Sequence, residues 1–319
     1  MPVMTIPTRL IGCDLIDLAA ADGGRFVSLC ERQYAARIEK TVDRILDSGC
    51  PVVMLTGPSS AGKTTSAHRL AESIIARGKK ADVISLDDFF LGEGLYPRTP
   101  DGKEDFECPE ALDLPLLRTC LGALCETGEC EVPQFDFLIQ QPSGLLRHVD
   151  GRGGAVIVEG LHALNPLLTE DLPANSIFRV YAGLREEYCD ADGVRTLATR
   201  DVRLARRIVR DYLFRGHDAD FTLDIWQHVC QSENKYIRTY KRTADHQLDT
   251  SFSYEPCIWE KILNAKREEL RPSERNHEKF RQLCGSFTVF SPLDSGRIPE
   301  RSMLREFVGP KNQLNGQKG

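Results

Sequence analysis

Residues 52–76 read VVMLTGPSSAGKTTSAHRLAESIIA, which is an apolar run, a glycine-rich turn and a stretch with apolar residues at helical spacing. The turn, from Gly57 to Thr64, matches the pattern G-x-x-x-x-G-K-[S/T]. A strand before this pattern and a helix after it form the context in which such a loop wraps phosphates. The segment therefore predicts a phosphate-binding loop, called the P-loop below. The alternative is a glycine-serine turn that merely caps a helix.

The residue types of this loop suit a nucleoside triphosphate bound with Mg²⁺. Glycines let the backbone follow the phosphates, and the N–H groups at a helix start offer donors and a positive dipole end. Lys63 would offset the charge of the β and γ phosphates, and the Thr64 hydroxyl would face Mg²⁺. We predict that ATP, as co-substrate, contacts Gly57, Ser59, Ser60, Ala61, Gly62, Lys63, Thr64 and Thr65.

Three further apolar runs, at residues 81–86, 155–158 and 177–182, are predicted to be strands. They are apolar nearly throughout and are separated by helical patterns, as in a parallel sheet covered on both faces. The predicted fold class is α/β: a P-loop NTPase with a doubly wound parallel sheet, an inserted β-hairpin and helical flanks. Ligands of such sheets bind beyond the carboxyl ends of the strands, where Asp87 and Glu159 lie.

The remaining patterns divide the chain into four predicted parts. These are an N-terminal helical segment packing on the core (1–50), a P-loop kinase domain (51–250), a C-terminal helical flank (251–309) and a polar, disordered tail (310–319). After Val180 the chain is predicted to be mainly helical. Predicted helices cover 26–46, 110–125, 199–214, 221–240 and 258–269; a hairpin at about 130–150 turns at Pro142-Ser143-Gly144, and a lid covers about 199–217.

Composition and charge exclude several classes of protein. The cysteine count is odd, at 11, and no C-x-x-C pair stands among the central cysteines, so we expect reduced thiols. A net charge of −6 argues against nucleic acid as a partner. No apolar run approaches the ~18 residues of a membrane helix, and the N-terminus lacks the features of a signal peptide. We therefore expect a cytoplasmic protein without a membrane partner; a homo-oligomer is possible.

Acidic residues follow two of the predicted strands. Glu159 ends the run VIVE, where Mg²⁺-dependent phosphoryl transfer needs an acid, although a strand-end acid can also simply face solvent. Asp87 and Asp88 follow the strand at 81–86, and successive strand residues point to opposite faces. One of the two is therefore predicted to be the base for an acceptor hydroxyl, and the other to cap the following loop or helix.

Five arginines form the predicted lid. Four of them share one face of the helix at 199–214 because they are spaced i, i+3, i+4 and i+7. Arginine pairs bidentately with phosphate oxygens and stabilises transition-state charge. The alternative is a solvated helix face balanced by Asp201 and Asp211. The lid residues are Arg203, Arg206, Arg207, Arg210 and Arg215, of which Arg206 and Arg210 are predicted to be catalytic together with Lys63.

Several motifs follow one another across residues 31–309: GPSSAGKTT, ISLDDFF, DFECPEALDL, VPQFDF, VIVEGLHALNP, RLARRIVRDYLFRG and LREFVG. In this order they resemble the uridine kinase and phosphoribulokinase family of P-loop kinases, and within it the bacterial nucleoside-kinase branch. The resemblance implies an enzyme that transfers the γ-phosphoryl group of Mg-ATP to a primary hydroxyl. The acceptor that it favours is the 5′-hydroxyl of a nucleoside.

The resemblance also implies roles for single residues. Asp87 would be the base and would lie near Mg²⁺ with Thr64 and Glu159, and Glu107 would hold the ribose diol. In VPQFDFLIQQP, Phe135 and Gln140 stand where uridine-cytidine kinases usually carry a tyrosine and a histidine that read the pyrimidine, so base specificity does not carry over. The predicted acceptor-binding residues are Asp87, Glu107, Phe135, Gln140 and Arg203.

Another acceptor is open within the kinase class, namely a sugar phosphate or a pantothenate-like alcohol. A sugar phosphate would need additional cations in the hairpin and its approach. That region offers Arg98, Lys103 and Arg147 but is predominantly acidic. The nucleoside therefore ranks first.

A different class is a regulatory protein that binds a nucleotide without turnover. A GTPase switch should carry N-K-x-D, but the Asn234-Lys235 pair is followed by Tyr236 and Ile237. A retired ATP binder should lack its base or its metal acid, and neither is missing here. The sequence therefore favours an active kinase that uses ATP and Mg²⁺.

Overall fold

The structure, a computed structural model, describes residues 7–99 and 102–310. Its strands in these ranges are β1 (Arg9–Gly12), β2 (Val52–Thr56), β3 (Ala81–Ser85), β4 (Glu129–Asp136), β5 (Gln141–Asp150), β6 (Ala155–Glu159), β7 (Ile177–Gly183), β8 (Glu186–Cys189), β9 (Arg195–Leu197) and β10 (His246–Asp249). Its α-helices are α1 (Cys13–Ala20), α2 (Gly23–Ser48), α3 (Lys63–Ala76), α4 (Leu114–Glu126), α5 (Thr199–Phe214), α6 (Ala219–Tyr236), α7 (Glu255–Ala265), α8 (Glu274–Phe287) and α9 (Arg305–Val308).

The central sheet consists of five parallel strands in the order β10-β7-β2-β6-β3. The P-loop follows β2, the middle strand, all of whose residues are buried. Leu55 of β2 pairs with Glu159 of β6, which in turn pairs with Ser85 of β3. The carboxyl ends of these three strands therefore meet beside the P-loop, and the predicted parallel sheet is confirmed.

Helices cover both faces of this sheet. Val53 and Leu55 of β2 belong to one apolar cluster, together with residues of α2, α3, α5, α7 and α8. Val52 and Met54 belong to a second cluster on the opposite face, with residues of α4 and of the β4–β5 hairpin. Alternate residues of one strand thus serve two cores, which explains why the strand is apolar throughout.

The predicted helix at 26–46 is part of the longer α2. The Asp22 side chain caps its start by accepting a hydrogen bond from the Arg25 N–H at 3.2 Å. Its end lies at Gly49, whose φ of 67° is the left-handed conformation that favours glycine at this position. Residues of α2 contact α3 and β10, so the helix packs beside the core.

The hairpin and α4 differ from the prediction for local reasons. The hairpin turns at residues 137–140, where the Asp136 carboxylate accepts the Leu138 N–H and Gln140 takes a φ of 54°. The predicted turn at Pro142-Ser143-Gly144 instead lies within β5. Helix α4 begins at Leu114 because Asp113 caps it.

The sequence analysis missed several short elements. Strands β1, β8 and β9 form a small separate sheet, and β10 adds an edge strand to the central sheet, so the chain after Val180 is less helical than expected. These strands have only three or four residues each, too few to show an alternating pattern. Helices α1, α8 and α9 lie in the segments predicted to be helical but were not predicted individually, whereas α6 and α7 cover most of the predicted 221–240 and 258–269.

One apolar cluster runs through α1, α2, the sheet, α7 and α8 and so joins three of the four predicted parts. The four-part division of the chain stays a prediction. The predicted disordered tail lies, after Pro310, outside the described residues. No helix of residues 7–99 and 102–310 has both the length and the apolar character to span a bilayer.

Candidate active site

The P-loop is shaped by close backbone approach. A side chain at Gly57 would overlap the carbonyl oxygen of Ala182 on β7. The loop can therefore approach this strand so closely only because residue 57 is glycine. Gly62 has a φ of 79° and precedes the first residue of α3, Lys63. The loop therefore places the start of α3 and its free N–H groups at the carboxyl end of the sheet.

A cavity of about 200 Å³ opens beside this loop, called the phosphate cavity below. It is lined by the P-loop and by side chains from β6, α5, α9 and the segments after β3 and α5. The predicted residues that it brings together are Ser59, Ser60, Ala61, Gly62, Lys63, Thr64, Asp87, Glu107, Glu159, Arg207, Arg210 and Arg215. Residues distant in sequence thus meet where the strand ends predicted a site.

Two groups of the P-loop fit a phosphate ligand. The Ser60 hydroxyl is buried and has no hydrogen-bond partner within the described residues. The Lys63 ammonium donates to the Pro58 carbonyl at 3.2 Å. Burial lowers the pKa of Lys63, while the Glu159, Glu306 and Asp87 charges oppose this shift. A bound polyphosphate would give both groups an acceptor and would offset the lysine charge.

Oxygen donors for a divalent cation line the same cavity. Glu159 is buried and accepts hydrogen bonds from the Thr64 hydroxyl at 3.1 Å and from the Ser85 hydroxyl at 3.4 Å. Burial raises the pKa of Glu159 to about 7, although the Lys63 charge lowers it. Carboxylate and hydroxyl oxygens are hard ligands of the kind that Mg²⁺ prefers, so Thr64, Glu159 and Asp87 suit this ion.

The two aspartates after β3 have different surroundings. Both lie in a 3-10 turn, at 86–89, and Asp87 is accessible to water in the cavity. The protein walls around Asp87 limit its hydration and raise its pKa, whereas Lys63 and Arg215 oppose this. The Asp88 carboxylate accepts the Phe135 N–H at 3.4 Å and so holds the hairpin. Asp87 alone of this pair faces the phosphate cavity.

Glu107 lies in the phosphate cavity near Arg207. Its side chain is half-buried, and burial raises its pKa while the Arg207 charge lowers it. Its own N–H donates to the Asp105 side chain at 3.0 Å, which holds the local backbone. A second carboxylate is therefore available to a ligand that reaches Asp87.

Three arginines of the predicted lid are held by one acid. Asp211 is fully buried and lies 3.2, 2.9 and 3.6 Å from nitrogens of Arg207, Arg210 and Arg215. Arg207 also donates to the Ser59 hydroxyl at 2.8 Å. The alternative of a solvated helix face balanced by Asp211 is wrong here, because this carboxylate lies inside and orients the three guanidinium groups toward the cavity.

The other two lid arginines do not line the phosphate cavity. Arg206 is completely buried, pairs bidentately with Glu255 at 2.6 and 2.7 Å, and donates to the Ser60 carbonyl at 3.1 Å. Arg203 pairs with Glu233 at 2.7 Å and donates to the Ser59 carbonyl at 2.8 Å. The structure corrects the predicted catalytic contact of Arg206 and acceptor contact of Arg203: both hold the P-loop from behind.

Two of the predicted acceptor-binding residues, Phe135 and Gln140, also lie outside this cavity. Phe135 is buried, with its ring 5.8 Å from that of Phe90 and 5.1 Å from that of Phe137. Gln140 is exposed in the hairpin turn, where its amide donates to the Phe137 carbonyl at 2.8 Å. The expected contacts of these two residues with an acceptor are not supported by this arrangement.

Sequence reasoning missed two acids that hold the P-loop. Glu306 of α9 accepts the Thr65 hydroxyl at 2.6 Å and the Thr65 N–H at 3.4 Å, and it lines the phosphate cavity. Glu233 of α6 accepts the Ser59 N–H at 2.7 Å. The motif LREFVG pointed to the region of Glu306 without a role for it, and nothing in the sequence marked Glu233.

Comparisons with known proteins find uridine kinases among the relatives of this chain. The uridine kinase of Saccharomyces cerevisiae is 28% identical over 266 residues, which cover 82% of this chain and 48% of the yeast protein. The uridine kinase of Lactobacillus helveticus is 28% identical and that of Deinococcus deserti 27% identical. These matches cover 61% and 65% of this chain, and 84% and 91% of those proteins.

The chain thus spans about half the length of the yeast relative and most of the two bacterial ones. The sequence profile of the Phosphoribulokinase / Uridine kinase family matches residues 52–251, which is more than half of the chain. This range contains the P-loop, Asp87, Glu107, Glu159 and α5. The chain therefore belongs to the phosphoribulokinase and uridine kinase family.

Proposed function

We propose that this protein transfers the γ-phosphoryl group of ATP to the 5′-hydroxyl of a ribonucleoside. The observation that carries the proposal is that Asp87 and Glu107 share one cavity with the P-loop lysine, Lys63. A kinase of a small alcohol needs a donor site and a base in one enclosed space. A second carboxylate beside the base suits an acceptor with further hydroxyl groups.

The donor side is supported by the P-loop. Lys63, the Ser60 hydroxyl and the N–H groups at the start of α3 would hold the phosphates of ATP. Thr64, Glu159 and Asp87 would hold Mg²⁺, which when bound offsets the charge of the phosphate oxygens. Arg207, Arg210 and Arg215 would stabilise the charge that develops on the transferring group.

On the acceptor side, Asp87 accepts the proton of the primary hydroxyl while the oxygen of that hydroxyl forms a bond to the γ phosphorus. The bond to the β–γ bridging oxygen breaks, and ADP leaves. Asp87 lines the phosphate cavity, and an ionised carboxylate there can accept this proton. Glu107 accepts hydrogen bonds from two adjacent hydroxyls, as a carboxylate can.

The other acceptor candidates have less support. A sugar phosphate needs additional cations on the hairpin side, and one of the three there, Arg147, already pairs with Asp82 at 2.9 Å and donates to the Val83 carbonyl at 2.7 Å. A pantothenate-like alcohol carries no vicinal diol for Glu107. A purely regulatory ATP binder has no use for the accessible Asp87. These three alternatives rank below the ribonucleoside.

The test is a paired kinetic comparison. Ribonucleosides should exceed their 2′,3′-dideoxy forms by ~3 kcal/mol or more in kcat/KM, because the deoxy forms leave Glu107 without a partner. Glu107→Ala should remove most of this preference. Equal rates with both substrate forms would refute the diol contact of Glu107 and with it the ribonucleoside preference. Phosphorylation of a diol-free alcohol but of no nucleoside would end the nucleoside assignment and leave the kinase assignment intact.

The base is tested by a matched pair of variants. Asp87→Asn should lower kcat at least ~100-fold with little change in ATP affinity, since general bases contribute on this scale. Asp88→Asn is the control, because this residue holds the hairpin and does not face the cavity, so its effect should be milder. Equal losses, or a larger loss for Asp88→Asn, would refute the assignment.

A further inference from the structure

A second cavity, of about 470 Å³, lies behind the P-loop and does not include the residues of the proposed reaction. It is bounded by Pro58 of the P-loop, by the end of β7, and by the segment that follows α6. The ion pair of Arg203 and Glu233 also lines it, while the neighbouring Ser59 and Arg207 line the phosphate cavity. We call it the rear cavity.

The acids that line the rear cavity already have partners. Glu187 pairs with Arg195 at 3.0 Å, the Asp201 carboxylate accepts the Ala198 N–H at 3.0 Å, and Glu233 pairs with Arg203 at 2.7 Å. Arg185, Arg238 and Lys241 also line it, and within residues 7–99 and 102–310 none of them forms an ion pair with a carboxylate. The cavity wall therefore carries an excess of positive charge.

Two of these cations share one aromatic ring. The Arg185 guanidinium carbon lies 5.6 Å and the Lys241 ammonium 5.5 Å from the centroid of the Tyr181 ring. Arg185 is 3% exposed; its guanidinium donates to the Gln247 side chain at 2.7 Å, and its backbone N–H donates to the Ser251 hydroxyl at 2.6 Å. Its Nε is buried and has no hydrogen-bond partner within the described part of the chain. A buried donor of this kind is costly unless a ligand accepts from it.

The three cations lie close enough for their charges to repel one another. Burial lowers the pKa of Lys241 to about 8, and the charges of Arg185 and Arg238 add to the shift. Burial also lowers the pKa of Arg185. An anion between these side chains would remove the repulsion and satisfy the arginine donor.

We propose that the rear cavity binds a small molecule that carries a phosphate group, held by Arg185, Arg238 and Lys241. Guanidinium forks and an ammonium are the side chains that recognise phosphate oxygens. The volume lies in the range of cavities that enclose ligands up to nucleotide size. The proposal does not depend on the kinase reaction, because binding can be measured without turnover.

The rear cavity is coupled to the P-loop through a shared wall. Glu233 accepts the Ser59 N–H at 2.7 Å, and Arg203 donates to the Ser59 carbonyl at 2.8 Å. Pro58, which precedes Ser59, lines the rear cavity itself. A ligand that moves this wall changes the affinity of the P-loop for ATP, and ATP must change the affinity for that ligand by the same factor.

The test is isothermal titration of the full chain with inorganic phosphate, glycerol 3-phosphate and glycerol. The phosphate cavity is first saturated with Mg²⁺ and a non-hydrolysable ATP analogue, so that the titrated anion does not bind at the P-loop. Arg238→Gln/Lys241→Gln is compared with Arg242→Gln, a control in the same turn that is exposed and does not line the cavity. Thermal unfolding checks that both variants fold like the wild type.

We expect binding of one or both phosphate compounds, none of glycerol, a loss of at least ~10-fold in affinity in the double variant, and no change in Arg242→Gln. Tighter binding of glycerol 3-phosphate identifies the ligand as a phosphate monoester, and equal binding identifies free phosphate. Binding that the double variant retains in full, or no binding of either phosphate compound to the wild type, overturns the proposal. Neither result bears on phosphoryl transfer, which is assayed separately.

Discussion

Replacing Arg206 tests whether this arginine stabilises the fold or the transition state. We expect Arg206→Met to cost about 3–5 kcal/mol of unfolding free energy, because it leaves the Glu255 carboxylate buried without its cation. The Trp259 N–H still donates to Glu255, at 2.7 Å, but carries no charge to offset that of the carboxylate. The Ser60 and Thr250 carbonyls also lose a donor.

The expected change in melting temperature follows from the chain length. Unfolding entropy is about 2.1 cal/mol/K per residue, so in a cooperative transition of 319 residues each kcal/mol shifts Tm by roughly 1.5 °C. The predicted loss for Arg206→Met is therefore roughly 4–8 °C. The assays are thermal and urea unfolding at pH 7, with kcat and KM for ATP measured well below the transition.

Arg210→Met is the matched control, four residues further along the same helix. Arg210 lines the phosphate cavity, and Arg207 and Arg215 still face Asp211 when it is removed. We expect a stability loss of about 1–2 kcal/mol and a loss of at least ~100-fold in kcat.

A double variant distinguishes two causes of the stability loss, an unpaired buried charge and poor packing at the site. Arg206→Met/Glu255→Met removes both charges and should be more stable than Arg206→Met, because no unpaired charge stays buried. The reasoning fails if Arg206→Met unfolds at the wild-type temperature while its kcat falls as far as that of Arg210→Met. In that case Arg206 acts on the substrate, as the spacing of the arginines predicted.

Three further predictions concern the phosphate cavity. Lys63→Ala should abolish turnover with the fold intact, because the loop backbone stays while the lysine charge beside the transferring group is lost. A kcat above about a tenth of the wild-type value, which is a loss below ~1.4 kcal/mol, would contradict this. Glu306→Gln should lower KM for ATP several-fold in steady-state assays, because it removes a carboxylate bound to Thr65, which we predict to hold ATP; a raised KM would mean that Glu306 aids ATP binding. Metal-free protein should lose up to about 3 kcal/mol of stability as pH rises from about 4.5 to 7, because folded Glu159, with its raised pKa of about 7, keeps a proton that the unfolded chain releases. Urea unfolding across this pH range should show a smaller loss of unfolding free energy in Glu159→Gln than in the wild type. Identical pH profiles for the two proteins would refute the role of Glu159.

Local pattern was sufficient for the central features of the fold. The run VVMLT, the P-loop and the following helix appear where the spacing predicted them, because a fully buried parallel strand must be apolar and the loop motif is contiguous. The carboxyl ends of such strands lie at one edge, so Glu159 and Asp87 could be expected beside Lys63. The family resemblance added Glu107, which no spacing rule would have selected.

The hairpin turn could not be predicted from its composition. Pro142-Ser143-Gly144 has the residues of a turn, yet Asp136 and Gln140 turn the chain earlier. The short strands β1, β8, β9 and β10 form only because partner strands from distant parts of the chain lie beside them. Pairing of this kind leaves too few residues in each strand for a readable period.

The arginine helix shows most clearly what the sequence by itself determined and what the tertiary structure decided. Spacing alone determined that Arg203, Arg206, Arg207 and Arg210 share one side of α5. Their division between the two roles depends on acids from distant elements: Glu233 and Glu255 hold Arg203 and Arg206 behind the P-loop, while Asp211 directs the others to the cavity. In α5 each buried guanidinium lies where a carboxylate offsets its desolvation, and the position of that carboxylate is a property of the folded chain.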